Sequence, residues 1–348
     1  MRILNIIHAQ SIGGVDQVFR YYSQTLISNN NEVAIVISDN GNDDYHLPGL
    51  KKIYKLKNLT PALDILHLFG IIKQFKPDVL ICHSVRNMRW MSILSRLIKA
   101  KTIAVNHGIN YKKSLCCEYV FSINDQIKNM VINDGKNPEK SVFMPNMIDI
   151  DPNTKFLEDK KFHEIPVIGM FGRIEPRKGF DILFEAAKIL KDKNIDFKLM
   201  IGGFVVPGGF DENDLRKIVN KLNLTDKTEF VGVVRDKSSF FDKVDIFCVP
   251  SREEPFGMVI IESFLHSTPV ISSDCEGAKI IIENNQDALI FPIEDTQALA
   301  EKIELLIKDQ NLAKNIAKKA FSKVKEKYSI ETVGKILQKE LERISSSK

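Results

Sequence analysis

Several features are scarce in this chain, although Lys, Asn and Ile are heavily used, and each shortage removes a class of protein. Basic residues outnumber acidic ones only enough for a net charge of +4, too little to imply nucleic acid as a partner by charge alone. The five cysteines, Cys82, Cys116, Cys117, Cys248 and Cys275, contain no Cys-x-x-Cys and no zinc spacing, and several sit in apolar runs. That pattern favours a reducing cytoplasm over a disulfide framework. No apolar stretch is long enough to span a bilayer, and the N-terminal run ending at His8 is one strand long and does not read as a signal peptide. Repeats of short period and low-complexity tracts are missing as well. What remains is an ordinary composition, 44% hydrophobic and 27% charged over 348 residues, long for one core and suited to two domains.

Apolar periodicity alternates between strand and helix along the whole chain. In the first half it predicts strands at 3–9, 32–38, 78–83, 102–106, 120–123 and 142–145, with helices at 15–27, 63–75, 88–98 and from Asp125. Residues 151–166 crowd Pro, Asn, Lys, Asp and Glu together and read as a linker. The rhythm then restarts, with strands at 167–171, 197–202, 230–234, 246–250, 270–273 and 288–292. Helices are expected at 180–191, 297–307, 312–325 and 330–344. Strict alternation implies parallel sheets covered on both faces. Two Rossmann-like halves follow, with ligands expected at the carboxyl ends of both sheets, in a cleft between them. The loops at 10–15, 83–87, 106–111, 172–179, 202–209 and 251–257 all fall on that side.

Two of these loops carry chemistry. Pro250-Ser251-Arg252-Glu253-Glu254-Pro255-Phe256-Gly257 links an apolar strand to a helix, with Gly257 where a backbone must approach something closely. A helix start offers unpaired N–H groups and a positive dipole end to a phosphate or to sugar hydroxyls. Glu254 precedes the helix and Glu262 lies within it, with seven residues between them. Carboxylates so placed can each accept paired hydrogen bonds from vicinal hydroxyls. The spacing alone is equally compatible with a helix-start acid and a solvated face charge. Gly172-Arg173-Ile174-Glu175-Pro176-Arg177-Lys178-Gly179 follows the first strand of the second half and opens its first helix. Arg173 and Lys178 could converge on a diphosphate, the first as a planar fork and the second as a point charge. Two exposed bases on a turn is the plainer reading of that loop taken alone. It is not a Walker loop, because the Gly-Lys-Ser/Thr order is missing.

Together, Gly-Arg-x-x-x-x-Lys-Gly and Glu-x-Pro-Phe-Gly…Glu resemble glycosyltransferase family 4, retaining nucleotide-sugar enzymes of the GT-B fold. The resemblance covers nearly the whole chain. Gly13-Gly14 match the family's N-terminal glycine loop, Pro145-Asn146…Asp149 its pre-linker motif, and Thr268-Pro269-Val270-Ile271 its strand after the helix. It implies domains at 1–155, completed by a C-terminal helix 329–348, and at 156–328. It also implies roles for particular residues. Arg173 and Lys178 would bind the donor diphosphate and stabilise its growing charge, in place of a divalent metal. Glu254 would hold the transferred sugar and Glu262 the ribose hydroxyls, with backbone N–H groups of Phe256, Gly257, Met258 and Val259 reaching sugar and phosphate. Gly14 would let the first-domain loop close on the diphosphate. His107 would lie near the sugar's hydroxymethyl group, with a strand-end histidine bonded to a main-chain carbonyl as the structural alternative. The base would lie near Val234 and Arg235. Retention would follow front-face attack, with no carboxylate nucleophile.

No cofactor and no metal is expected. Asp149-Ile150-Asp151 spells a metal-binding Asp-x-Asp, but Asp149 is already explained by the pre-linker motif. Three departures from the family pattern, Met147, His266-Ser267 and Ile280, surround the far side of the donor sugar and leave its identity open. The acceptor belongs to the first domain. There Arg86, Arg89, Arg96, Lys99 and Lys101 flank the lone Trp90, a basic helix that fits an anionic membrane or, more plainly, a solvated face. The expected acceptor is a glycan or a lipid-linked glycan, in lipopolysaccharide or surface-polysaccharide synthesis at the inner face of the membrane. A nucleotide-sugar epimerase of GT-B fold and a non-catalytic nucleotide-sugar binder are the competing readings.

Overall fold

The computed structural model describes residues 1–7, 13–38, 45, 47–56, 61–83, 88–205 and 209–347. The chain divides into two units, one of Met1–Asp149 with Lys327–Lys348 and one of Ile150–Glu326. The boundaries expected from the sequence were 155/156 and 328/329.

The first unit is built on seven parallel strands: β1 (Arg2–Ile6), β2 (Glu32–Ser38), β3 (Lys52–Leu56), β4 (Val79–Cys82), β5 (Lys101–Asn106), β6 (Tyr119–Ser122) and β7 (Ser141–Phe143), in the spatial order 3-2-1-4-5-6-7. Its described connecting helices are α1 (Gly14–Ser28), α2 (Pro61–Phe75), α3 (Met88–Ile98) and α4 (Asp125–Asn133). Central strands are apolar on both sides: β4 is buried at all four of its positions. Two-sided burial is what removes alternation from the sequence of a parallel strand. At the edge the pattern reverses. β3 reads Lys-Ile-Tyr-Lys-Leu and is exposed at Lys52, Ile53 and Lys55, lysine on an outer strand being a known guard against edge pairing. That composition also hid β3 from the sequence.

The second unit repeats the plan with six parallel strands: β8 (Val167–Arg173), β9 (Lys198–Phe204), β10 (Thr228–Gly232), β11 (Ile246–Val249), β12 (Val270–Ser273) and β13 (Leu289–Phe291), ordered 10-9-8-11-12-13. Around it run α5 (Phe180–Asp192), α6 (Glu212–Lys221), α7 (Lys237–Phe241), α8 (Met258–Leu265), α9 (Glu276–Ile281), α10 (Thr296–Lys308) and α11 (Gln310–Lys327). Start signals are explicit: Asp211 and Asp214 close a capping box on α6, and Asp236 and Asp295 cap α7 and α10. β10 stops at Gly232, with an irregularity after Phe230, so the expected strand at 230–234 ends two residues early.

The residues read as a linker make no strand or helix, yet they are tied to the second unit. Leu157 N donates to Ser267 Oγ at 3.1 Å, and Lys160 Nζ donates to Phe241 O at 2.9 Å and Thr268 Oγ1 at 2.6 Å. Burial lowers Lys160 to a pKa of about 8. A cavity of about 310 Å3 lies here, lined by Leu157, Lys160, Asp245, Pro269 and Ala317 among others. It sits by the amino ends of β11 and β12, opposite the ends where sheets of this kind take ligands.

The chain closes with α12 (Ile330–Ser346), which packs on α1 of the first unit. Ile148 N donates to Tyr328 O and Ile330 N to Ile148 O, at 2.8 and 2.9 Å, Thr25 Oγ1 donates to Ile330 O at 3.1 Å, and Ser329 caps the helix. Both sheets reverse their strand order next to their first strand, between β1 and β4 and between β8 and β11. Ligands of open α/β sheets bind at that crevice, beyond the carboxyl ends.

Candidate functional site

In the second unit both singled-out loops leave the two strands that flank the switch point. Residues 173–179 follow β8 and residues 250–257 follow β11. They are joined directly. Arg252 N donates to Arg177 O at 2.8 Å, and Gly179 has the left-handed φ of +73° that ends the turn Pro176–Lys178 and starts α5. A Cβ on Gly179 would stand 1.9 Å from the Pro250 carbonyl oxygen, so glycine is what allows the two loops to touch.

This joining brings the candidate charges together in pairs. Lys178 Nζ lies 2.5 Å from Glu254 Oε2, with side-chain exposures of 16% and 12%. Glu262, reached along α8, is buried, and its Oε1 lies 2.5 Å from Lys237 Nζ. Each candidate carboxylate therefore faces a lysine rather than open water. Arg173, at the end of β8, is half exposed and has Nε 3.5 Å from Glu175 Oε1, the same carboxylate that holds Arg177. α8 begins at Gly257, itself left-handed at φ +97°, with no side chain capping its first turn.

Phe256 turns inward and is 2% exposed, while Met258 and Val259 are half-buried in the first turn of α8. Val234 follows the end of β10 and packs toward Gly202, where a Cβ would meet Val234 Cγ2 at 2.4 Å. Arg235 is exposed.

Three residues that hold this site together were passed over in the sequence. Arg252 forks onto Asp181, with Nη1 to Oδ1 at 2.9 Å and Nη2 to Oδ2 at 2.7 Å, and its Nε reaches Glu294 Oε1 at 2.7 Å. Burial alone would raise the Asp181 carboxyl, but the Arg252 bonds outweigh it and hold it below its usual range. Gly277 N donates to Glu254 O at 2.7 Å, and a Cβ on Gly277 would come within 2.4 Å of that oxygen. Lys237 is the third. Arg252 was visible inside the motif, and its fork to a carboxylate on the neighbouring helix is the kind of pairing that arginine in a loop signals. No sequence signal links Lys237 to Glu262.

Asp149 and Asp151 each accept a hydrogen bond, the first from far along the chain and the second locally. Asp149 Oδ2 accepts from Gln24 Nε2 at 2.8 Å, and Asp151 Oδ1 from Asn153 N at 2.8 Å.

Gly14 and His107 belong to the first unit. Gly14 is the exposed first residue of α1, after the extended Gly13. His107 follows β5, and its Nε2 lies 3.0 Å from Nδ1 of His83, which follows β4. This partner is another ring, not the main-chain carbonyl of the structural alternative. Burial lowers His107 to a pKa of about 4, and burial and then the charge of His107 hold His83 well below its ordinary value. Both rings are neutral at pH 7. Gln10, Arg86 and the side chains of Arg89 and Trp90 lie outside the described residues, as do 84–87 and 206–208 of the expected ligand loops.

Residues 153–323 match the family model for glycosyl transferases group 1. The chain is similar to a capsular polysaccharide biosynthesis glycosyltransferase of Staphylococcus aureus, 29% identical over 64% of this chain and 61% of that protein. It is also similar to an N,N'-diacetylbacillosaminyl-diphospho-undecaprenol alpha-1,3-N-acetylgalactosaminyltransferase of Campylobacter jejuni, 30% identical over 51% of this chain and 45% of that protein. The chain thus spans about half to three-fifths of the length of the curated relatives it matches first. Among solved structures, Anabaena HepE in complex with UDP and glucose superposes with a TM-score of 0.80 at 18% identity, over 98% of this chain and 99% of that one. The fold is GT-B.

Proposed function

We propose that the chain is a retaining glycosyltransferase of family 4. It moves a hexose-type sugar from a nucleotide-diphosphate sugar to a glycan or lipid-linked glycan acceptor, without a metal, in surface-polysaccharide or lipopolysaccharide assembly. The observation that carries this reading is the pair of lysine–glutamate contacts at the switch point, Lys178–Glu254 and Lys237–Glu262. An incoming diphosphate competes with Glu254 for Lys178, and the sugar's hydroxyls then replace the ammonium as donors to the released carboxylate. One ligand bearing both an anion and vicinal hydroxyls satisfies both partners at once, whereas a bare phosphate leaves Glu254 unpaired. Arg173, half exposed at the end of β8, adds a second cation to the diphosphate. Glu262 takes the ribose hydroxyls, with Lys237 holding its carboxylate in place. The backbone N–H groups of Phe256, Gly257, Met258 and Val259 face sugar and phosphate, the base lies by Val234 and Arg235, and Gly14 lets its loop close on the diphosphate.

Transfer then proceeds on one face. The acceptor oxygen bonds to the anomeric carbon as the bond to phosphate oxygen breaks, and the leaving oxygen takes the acceptor's proton. Arg173 and Lys178 hold the charge that develops there, where preorganised cations act most strongly.

A thermal-shift screen of UDP-, GDP- and ADP-sugars, repeated with EDTA, tests the donor site. A donor at a hundred times its Kd stabilises the folded state by about 2.7 kcal/mol. We expect one sugar nucleotide to stand out, with EDTA making no difference. A shift abolished by EDTA would sink the metal-free site, and no shift with any donor would sink the reading. An epimerase would convert the donor with no acceptor present, and a binder would bind without turnover.

The proposed location is cytoplasmic, with the first unit meeting the inner membrane face. No helix among the described residues is long and apolar enough to cross a membrane. Instead α2 and α3 expose Leu63, Leu66, Ile93 and Leu97 at 51%, 66%, 46% and 68%, beside the exposed Arg96 and Lys99. Apolar anchors with basic neighbours suit an anionic bilayer. The protein is expected to sediment with anionic vesicles at low salt and to lose most of that binding as Leu66→Glu/Leu97→Glu. Equal recovery of wild type and variant would remove the membrane from the proposal.

A further inference from the structure

His83 and His107 stand at the carboxyl ends of neighbouring strands β4 and β5. β4 also lies beside β1, at the reversal of the first sheet, the position where such sheets take ligands. The rings stack with centroids 5.2 Å apart and planes at 24°, joined by the 3.0 Å contact between His83 Nδ1 and His107 Nε2. Phe19 and Tyr22 of α1 meet the His83 ring edge-on, with centroids at 5.4 and 4.7 Å, so its orientation is fixed by packing. The outer nitrogens, His83 Nε2 and His107 Nδ1, are buried and have no hydrogen-bond partner among the described residues. Buried polar atoms are ordinarily paired, and an exception in a well-packed site calls for a ligand or a functional reason.

One shared proton couples the two rings. If His83 Nδ1 donates, His107 carries its own proton on Nδ1 and presents a donor there, while His83 Nε2 presents an acceptor. If His107 Nε2 donates, both roles reverse together. The pair therefore always offers one donor and one acceptor at its outer nitrogens. Only a group that can both donate and accept suits either state, and a hydroxyl does this where a phosphate oxygen cannot. Burial lowers both rings, and the nearby His107 lowers His83 as well, so the pair is neutral at pH 7 and offers no full positive charge to an anion.

We propose that His83 is a positioning residue, holding the His107 ring in one orientation and coupling its tautomer to that of His83, so that in either state Nδ1 meets a hydroxyl of the sugar being transferred or of its acceptor. The inference rests on the glycosyl-transfer reading. It adds a second histidine behind His107 and gives the physical reason why an uncharged hydroxyl, rather than a phosphate, suits this pair.

The test uses the full-length protein with the sugar nucleotide identified by the thermal-shift screen. His83→Phe keeps a stacked ring and removes the bond, while His83→Asn returns a side-chain amide near the position of Nδ1. We expect His83→Phe to lower kcat about tenfold, the scale of one lost hydrogen bond, with the donor KM unchanged and His83→Asn largely restored. Long-range 15N–1H spectra of the wild type should show complementary protonation of the facing nitrogens, His83 Nδ1 and His107 Nε2, and a His107 tautomer population that changes in His83→Phe and returns toward the wild type in His83→Asn. An active wild type with His83→Phe equally active, or with kcat and donor KM damaged alike in both variants, overturns the positioning role. A wild type that turns over no sugar nucleotide instead overturns the glycosyl-transfer reading itself, and the two failures are thereby told apart.

Discussion

Lys178→Met should lower the transfer rate by about 10²–10³-fold, the usual loss when one preorganised group that stabilises transition-state charge is removed, and should lower the melting temperature for a separate reason, the Glu254 carboxylate left without its partner. The two effects separate because the Lys178–Glu254 contact does different work before and during the reaction. In the ligand-free protein it is a mostly buried ion pair, 16% and 12% exposed, and removing one partner of such a pair leaves an uncompensated charge, which costs more than the ~1 kcal/mol of an exposed pair. Once donor is bound, the same ammonium is the cation proposed to hold the charge developing on the leaving diphosphate. Lys178→Met/Glu254→Gln distinguishes a lost cation from a stranded carboxylate. The double variant should recover melting temperature, because no stranded charge remains, and should stay at least as slow as the single one, because the cation is still missing. Arg173→Lys keeps the charge and loses the fork, so a smaller loss is expected there. Single-turnover rates and donor KM for the four proteins decide it, and a Lys178→Met enzyme as fast as wild type would remove Lys178 from the mechanism.

The parts of this molecule that were legible in advance follow from what sequence encodes locally. Strand and helix alternation and the two-unit plan are written in apolar period, because two-sided burial and helix faces each leave a repeat, whereas the return of the C-terminal helix to the first unit was implied only by the family resemblance. β3 escaped, since an edge strand guarded by Lys52 and Lys55 carries almost no buried face to read. Strand β10 was placed two residues too far along because Val233 and Val234 continue the β-branched run, while the left-handed Gly232 between Val231 and Val233 is what ends it. At the candidate site the motif residues were legible and their partners were not. Glu262 is marked by its spacing from Glu254, but Lys237 is brought to it by the packing of α7 beside α8, a tertiary fact with no sequence spacing of its own. His83 is the same case. As a lone strand-end histidine it reads as structural, and only the stacking against His107 gives it chemistry.

Gly179→Ala tests the most specific structural claim, that contact between two loops creates the site. Alanine there meets two separate penalties. A left-handed φ of +73° costs a residue with a Cβ about 1–2 kcal/mol. The new Cβ also lands 1.9 Å from the Pro250 carbonyl oxygen, and because backbone cannot rotate away as a side chain would, this overpacking adds about 1–3 kcal/mol. For a unit of this size the sum corresponds to a fall in melting temperature of roughly 5–15 °C. Gly232→Ala is the matched control, since Gly232 has a φ of +66° but nothing within 4 Å of where its Cβ would stand. It carries the first penalty without the second. The difference between the two variants therefore isolates the loop contact. Relieving the clash must push residues 173–179 away from residues 250–257, separating Lys178 from Glu254 and the cations from the start of α8. Displacement of catalytic groups by about 1 Å costs on the order of 10²-fold in rate, so Gly179→Ala should be slow at temperatures where it is still fully folded, and Gly232→Ala should not. Equal melting temperatures and equal rates for the two variants would mean that the Pro250 contact yields easily, and that the charges of the site are placed by something other than the joining of these loops.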